Sequence, residues 1–127
     1  MKTFNRSMFA FACLMGAVSV LLAAYAAHQA SLDDGVRRSI SSAIQLMQFH
    51  ALALLFIGWM SRGKSFHLPL VLSAGLFVAG ILMFSLNMAL LHLAGVGGLS
   101  FLLPYGGMSF VLGWLALAFV AMRSDFS

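Results

Sequence analysis

Four long stretches of this chain contain no Asp, Glu, Lys or Arg, and this pattern constrains the fold more than any motif does. The stretches cover residues 8–28, 41–60, 68–93 and 104–122. A helix rises about 1.5 Å per residue and needs about 20 mostly apolar residues to cross a bilayer, so each stretch can span one. The sequence therefore predicts an all-α integral membrane protein: an antiparallel bundle of four transmembrane helices that forms a single membrane domain over residues 1–127.

The low charge content excludes an ordinary soluble domain. Hydrophobic residues make up 62% of the chain and charged residues only 8%, whereas soluble domains carry about 25% charged residues. A net charge of +4 would suggest nucleic acid in a soluble protein, but here the basic residues are scattered between the apolar stretches. We therefore expect membrane lipid, and no nucleic acid, around this protein.

The basic residues predict how the chain is oriented. Four spans would put both termini and residues 61–67 on one side of the membrane, and that side carries Lys2, Arg6, Arg62, Lys64 and Arg123. The opposite side carries only Arg37 and Arg38. Because Lys and Arg are enriched in cytoplasmic segments, this asymmetry places the termini and residues 61–67 in the cytoplasm.

Two local patterns bear on the ends of the first two helices. The sequence Ala24-Tyr25-Ala26 resembles a signal-peptide cleavage site, but the apolar run is long for a signal peptide and continues to Ala30. We therefore expect the first span to be retained. Ser31 followed by Asp34 resembles a capping box, which predicts that the second helix begins near Leu32 and lies partly among the headgroups.

The stretch GWMSRGKS, Gly58–Ser65, matches the phosphate-binding pattern G-x-x-x-x-G-K-[ST]. A phosphate-binding loop needs a strand before it and a helix N-terminus after it, so that backbone N–H groups face the phosphates. Here the stretch begins at the end of a predicted span, and another span starts near Pro69. We expect no nucleotide partner. Instead we expect Trp59 at the membrane interface, with Arg62 and Lys64 as cytoplasmic anchors.

Small residues recur at helical spacing on three of the spans, where another backbone can approach closely. On the first span they form the stripe Ala12, Gly16, Ser19, Ala23 and Ala27. Our candidate helix-packing residues are Gly16, Ser19, Gly80, Gly106, Gly107 and Gly113. Such faces predict either a tight four-helix bundle or a dimer, and the sequence does not choose between the two.

Five polar residues within or at the ends of the spans are candidates for an intramembrane site: Gln48, His50, Asn87, His28 and His92. They lie toward the extracytoplasmic half of the predicted spans, where they would form the floor of a shallow outward-facing cavity. The alternative is that they form interhelical hydrogen bonds or anchor the helix ends. Their spacing does not fit a zinc, haem or catalytic site, so we expect no catalytic residue, metal or cofactor.

Three separated motifs resemble one family: QFHALALLFIGW (residues 48–59), FSLNMALLHLAG (84–95) and PYGGMSFVLGW (104–114). They are similar to the YgdD/YwdK family of small four-span membrane proteins of unknown function. The resemblance implies a bacterial cytoplasmic membrane protein with an uncleaved first span. This chain departs from the family pattern at Leu86-Asn87 and at Leu103, and it lacks the glycines beside the Ala-His of the first span.

These observations lead us to expect a protein that is not an enzyme and acts as an accessory or interaction protein, with a homo-oligomer or another membrane protein as partner. One alternative is a small transporter or channel for a neutral or anionic solute. Another is a redox subunit that binds haem or quinone. The absence of carboxylates from the predicted spans excludes drug export by carboxylate-coupled proton exchange.

Overall fold

The computed structural model describes residues 2–62 and 68–123, and within them the chain forms long helices and no strand. The four long helices are α1 (Lys2–Ala27), α2 (Asp34–Met60), α3 (Leu68–Leu93) and α4 (Leu103–Arg123). A single 3₁₀ turn, Ser100–Leu102, leads into α4. Each helix is long and apolar enough to cross a membrane. The prediction of an all-α bundle of four membrane-spanning helices is confirmed.

The start of α2 differs from the one expected from its sequence. Asp33, rather than Ser31, is the N-cap residue, and its carboxylate accepts a hydrogen bond of 2.8 Å from the backbone N–H of Val36. Either residue can cap a helix, but a carboxylate also interacts favourably with the positive end of the helix dipole. The predicted cytoplasmic anchor Lys64 and the rest of residues 63–67 lie outside the described residues.

The two central helices of the bundle are α2 and α3, and the other two pack on them. Helix α1 packs chiefly along α2, and α4 packs along α3. The core between them is apolar and includes Met47, Leu54, Phe77 and Ile81, each fully buried. Large apolar side chains cover the outside of all four helices, which is the arrangement that lipid solvates.

Three contacts between a phenylalanine and a glycine join α3 to α4: Phe77 with Gly113, Gly80 with Phe110, and Phe84 with Gly106. A Cβ atom added at Gly113 would lie 2.6 Å from the Phe77 ring, and one at Gly106 would lie 2.7 Å from the backbone nitrogen of Phe84. A Cβ atom at Gly80 would overlap the Phe110 ring. We refer to these as the Phe–Gly contacts. They let two antiparallel helices approach more closely than side chains would otherwise allow.

Two serines reinforce the same interface. The Ser73 hydroxyl donates to the carbonyl of Gly113 at 2.9 Å, and the Ser109 hydroxyl donates to the carbonyl of Leu76 at 2.6 Å. The donor of the first bond lies on α3, and the donor of the second lies on α4. Because hydrocarbon offers no hydrogen-bonding partner, such bonds across helices help to hold a membrane bundle together.

Helix α3 contains a wider turn that its sequence did not predict. Ile81–Leu86 forms a π-helix between the α-helical parts Leu68–Gly80 and Asn87–Leu93. A π turn displaces the usual α-helical hydrogen bonds, and the side-chain amide of Asn87 donates to the Met83 carbonyl within it at 3.0 Å. Turns of this kind are frequent at functional sites, so Asn87 is a candidate for a functional role.

Adjacent glycines in α4 test the importance of the Phe–Gly contacts. We expect Gly106→Ala to lower the free energy of unfolding by about 1–3 kcal/mol, because the new methyl group would overlap the Phe84 backbone. We expect Gly107→Ala to leave the free energy of unfolding unchanged or to raise it. A Cβ atom added there would have no neighbour within 4 Å, and alanine favours helix. Detergent-driven or thermal unfolding of the purified variants measures the difference. Equal stability of the two variants would contradict the interpretation.

Candidate functional site

His50 lies at the centre of the bundle and is only 2% exposed. The Phe110 ring stacks on its imidazole, with the ring centroids 3.8 Å apart and the planes inclined by 15°. The Phe77 ring approaches edge-on at 5.1 Å, and the rings of Phe49 and Trp114 complete the surroundings. One histidine of α2 is therefore enclosed by aromatic side chains from α2, α3 and α4.

Both ring nitrogens of His50 are engaged. Nδ1 lies 2.6 Å from the carbonyl of Leu46, and Nε2 lies 2.9 Å from the indole nitrogen of Trp114. An indole N–H can only donate, so Nε2 must accept, and Nδ1 must carry the proton that is donated to Leu46. These contacts assign a neutral imidazole protonated at Nδ1. The histidine thus joins α2 to α4 through Trp114, and a metal or haem iron would have to displace that indole to reach Nε2.

Asn87 is buried at the end of the π-helix and holds the connection between α3 and α4. Besides the bond to Met83, its side-chain amide donates to the carbonyl of Leu99 at 2.5 Å. Its own carbonyl oxygen accepts no hydrogen bond within the described residues, and the buried hydroxyl of Ser85 also has no partner there. Leaving such groups unpaired costs about 1–3 kcal/mol each, so this turn is a locally costly part of α3.

Gln48 lies in a different place, in a groove between α1 and α2. The groove has a volume of about 380 Å³, and Arg37, Ser41 and Gln45 also line it. The Arg37 guanidinium donates from Nη1 to the Ala26 carbonyl at 3.2 Å and from Nη2 to the Gln29 carbonyl at 2.7 Å. It thereby binds one backbone carbonyl in the last turn of α1 and one just beyond the helix.

The two remaining histidines lie apart from His50. His28 is exposed just after the end of α1, and His92 is half-buried in the last turn of α3. The structure therefore does not bring the five polar candidates into one cavity. Gln48 faces the groove, His50 contacts α4, and Asn87 holds the connection after α3.

The candidate packing residues divide into two groups. Gly80, Gly106 and Gly113 make the Phe–Gly contacts, whereas Gly16 and Gly107 have no atom within 4 Å of an added Cβ. Ser19 is buried, and its hydroxyl donates to the Gly16 carbonyl of its own helix at 2.6 Å.

Sequence reasoning did not identify Trp114 as the partner of His50, or Arg37 as part of a groove. One signal was available for the first pair. His50 lies ten residues before the end of α2 at Met60, and Trp114 lies nine before the end of α4 at Arg123. At about 1.5 Å per residue, both lie about 14–15 Å from the same end of the bundle, so they were candidates to meet.

Replacing Trp114 tests whether its hydrogen bond to His50 stabilises the bundle. We expect Trp114→Phe to lower the free energy of unfolding by about 1–3 kcal/mol, because Nε2 of His50 would stay buried without a donor. Trp59→Phe is the matched control, since Trp59 is 61% exposed at the end of α2. We expect Trp59→Phe to change the free energy of unfolding little.

A double-mutant cycle isolates the pair itself. The combination of His50→Leu and Trp114→Phe should lose less stability than the sum of the single variants, because no unpaired nitrogen remains. Thermal unfolding of the purified variants provides all four values. Strict additivity would show that the bond contributes nothing.

Comparison with known proteins identifies a family for this chain. The family model described as "Protein of unknown function (DUF423)" matches residues 22–107, while no curated protein and no solved structure matches the chain. The matched part includes Arg37, Gln48, His50 and Asn87 and ends before Trp114. Because the match covers well over half of the sequence, the chain belongs to the DUF423 family of proteins of unknown function.

Proposed function

We propose that this chain is a non-enzymatic membrane protein that acts by interaction, as an accessory or organising component of other membrane proteins. The observation that supports this most is the use of polar side chains as links between helices. Within the described residues, Trp114 binds His50, and Ser73 and Ser109 bind carbonyls across the α3–α4 interface. Helices that are joined by hydrogen bonds of this kind favour a rigid scaffold.

Hydrogen bonds also link α1 to α2 near both ends of the bundle. The Ser61 hydroxyl, at the end of α2, donates to the side-chain carbonyl of Asn5 in α1 at 2.8 Å. At the opposite end, Arg37 of α2 binds the Ala26 carbonyl of α1 and the Gln29 carbonyl just after it. Hydrogen bonds thus connect α1 to α2 at both ends, which again supports a structural role.

The sequence motifs support a location in the bacterial cytoplasmic membrane, and the distribution of charges supports an orientation within it. The motifs that resemble the YgdD/YwdK family favour that group within DUF423, and with it the bacterial cytoplasmic membrane. Among the described residues, one end of the bundle carries Lys2, Arg6, Arg62 and Arg123, and the other end carries Arg37 and Arg38. This distribution favours cytoplasmic termini.

The alternatives receive less support from the same contacts. A transporter that used Gln48, His50 and Asn87 as one binding site would need them near each other, and they lie at three separate contacts. Haem binding through His50 would require an imidazole nitrogen that Trp114 and Leu46 do not occupy.

Photo-crosslinking in native membranes tests the interaction role. A crosslinking amino acid is placed at exposed positions on each helix, for example at Leu52, with the buried Leu54 as the matched control. We expect at least one exposed face to yield a single reproducible product, either a second copy of the chain or one membrane protein identified by mass spectrometry. Position 54 should yield none.

The proposal is overturned if no exposed face yields a specific product and the protein extracted in native lipid discs is a monomer alone. Flux assays in proteoliposomes address the transporter alternative. Solute flux above that of empty vesicles, and lost in His50→Ala, would favour transport instead.

A further inference from the structure

The groove between α1 and α2 has a polar side and an apolar side. Helix α1 contributes three small residues, and α2 contributes its polar side chains and two isoleucines. The lining residues are Ala23, Ala26, Ala27, Arg37, Ile40, Ser41, Ile44, Gln45 and Gln48. Within about 380 Å³ it thus offers a cation, a hydroxyl and two amides opposite an alanine surface.

The polar residues of α2 follow one another down a single face. Asp34, Arg37, Ser41, Gln45 and Gln48 are spaced by three or four positions, which places them on the same side of a helix. If Trp59 marks the interface at the far end, a hydrocarbon core of about 30 Å reaches about 20 residues back, to about position 39. Arg37 then lies at headgroup level, and Gln45 and Gln48 lie about 9 and 14 Å inside the hydrocarbon.

Several donors on this face are unused. A guanidinium has five N–H donors, and the two bonds from Arg37 to α1 leave three of them for another acceptor. Gln48 makes no hydrogen bond within the described residues, and Gln45 makes only a long one, 3.4 Å, to Ser41. Amides that face hydrocarbon without a partner are costly, so this face favours a ligand that supplies acceptors at its headgroup end.

We propose that the α1–α2 groove binds one molecule of a phosphoethanolamine glycerophospholipid. Its phosphate would lie at Arg37, because a guanidinium binds phosphate oxygens with paired, charge-assisted hydrogen bonds. Its ester carbonyls, which only accept, would face the hydroxyl of Ser41 and the amide of Gln45. Long helical side chains extend toward the helix N-terminus, so the Gln45 amide reaches up toward the ester level. An acyl chain would then cover the alanines of α1.

The headgroup follows from the charge above Arg37. Asp34 lies one turn nearer the outer end of α2, on the same face, and an ammonium group lies beyond the phosphate in phosphoethanolamine. A carboxylate attracts that ammonium and repels a net-anionic headgroup. This lipid site is independent of the proposed interaction role: a chain with no protein partner would overturn that role and leave this proposal intact.

Native mass spectrometry of the purified full chain tests the site. The protein is stripped of lipid in detergent and titrated with dioleoyl phosphatidylethanolamine or dioleoyl phosphatidylglycerol. We expect one phosphatidylethanolamine to remain bound, more tightly than phosphatidylglycerol. Arg37→Gln should weaken binding at least about tenfold, the size expected for losing charge-assisted bonds. Arg38→Gln is the matched control, because Arg38 is exposed and does not line the groove.

Arg37 also binds the end of α1, so a second variant keeps the test independent of folding. Gln45→Leu combined with Gln48→Leu removes both amides without disturbing a link between helices. We expect it to weaken binding while the thermal stability stays at or above the wild-type level, whereas Ser42→Ala, outside the groove, should change neither. Unchanged binding in the double glutamine variant, or tighter binding of phosphatidylglycerol, would overturn the proposal.

Discussion

Hydrocarbon cannot hydrogen-bond, and this constraint accounts for where nearly every polar side chain of the bundle lies. Inside the bundle, several polar groups are paired with groups of neighbouring helices, as Ser73 is with Gly113 and Trp114 is with His50. On the outer half of α2, Gln45 and Gln48 remain accessible instead. The first set holds the helices together, and the second set points outward to something that is not part of this chain.

The closest packing in the molecule and its central histidine depend on the same two rings. Phe110 contacts Gly80 and stacks on His50, and Phe77 contacts Gly113 and meets His50 edge-on. A larger residue at either glycine would therefore move a ring that His50 contacts. The α3–α4 interface and the histidine are parts of one structure, although they are distant in sequence.

Much of the architecture could be predicted because it depends on local composition. Length and the absence of charge are enough to identify four spans, and helical spacing was enough to select Gly80, Gly106 and Gly113. The pairing of His50 with Trp114 joins residues 64 positions apart and depends on how helices pack, which no local pattern reports. The π turn was missed because Ile81–Leu86 is as apolar as the rest of its span, and no residue in it marks a wider turn. The start of α2 was misplaced because Ser31 and Asp33 are both good capping residues.

The Phe–Gly contacts have a consequence for how the protein meets bilayers of different thickness. Along α3 the order is Phe77, Gly80, Phe84, and α4 presents the complementary residues at the same intervals in the opposite direction. Sliding one helix by a turn, about 5 Å, would set rings against rings and leave glycines facing gaps. Helices that cannot slide past one another can accommodate a mismatch between their hydrophobic length and the bilayer thickness by tilting together. Membrane thickness would thus change the inclination of the α3–α4 pair as a unit and leave the depth of Phe77 relative to Gly113 unaltered.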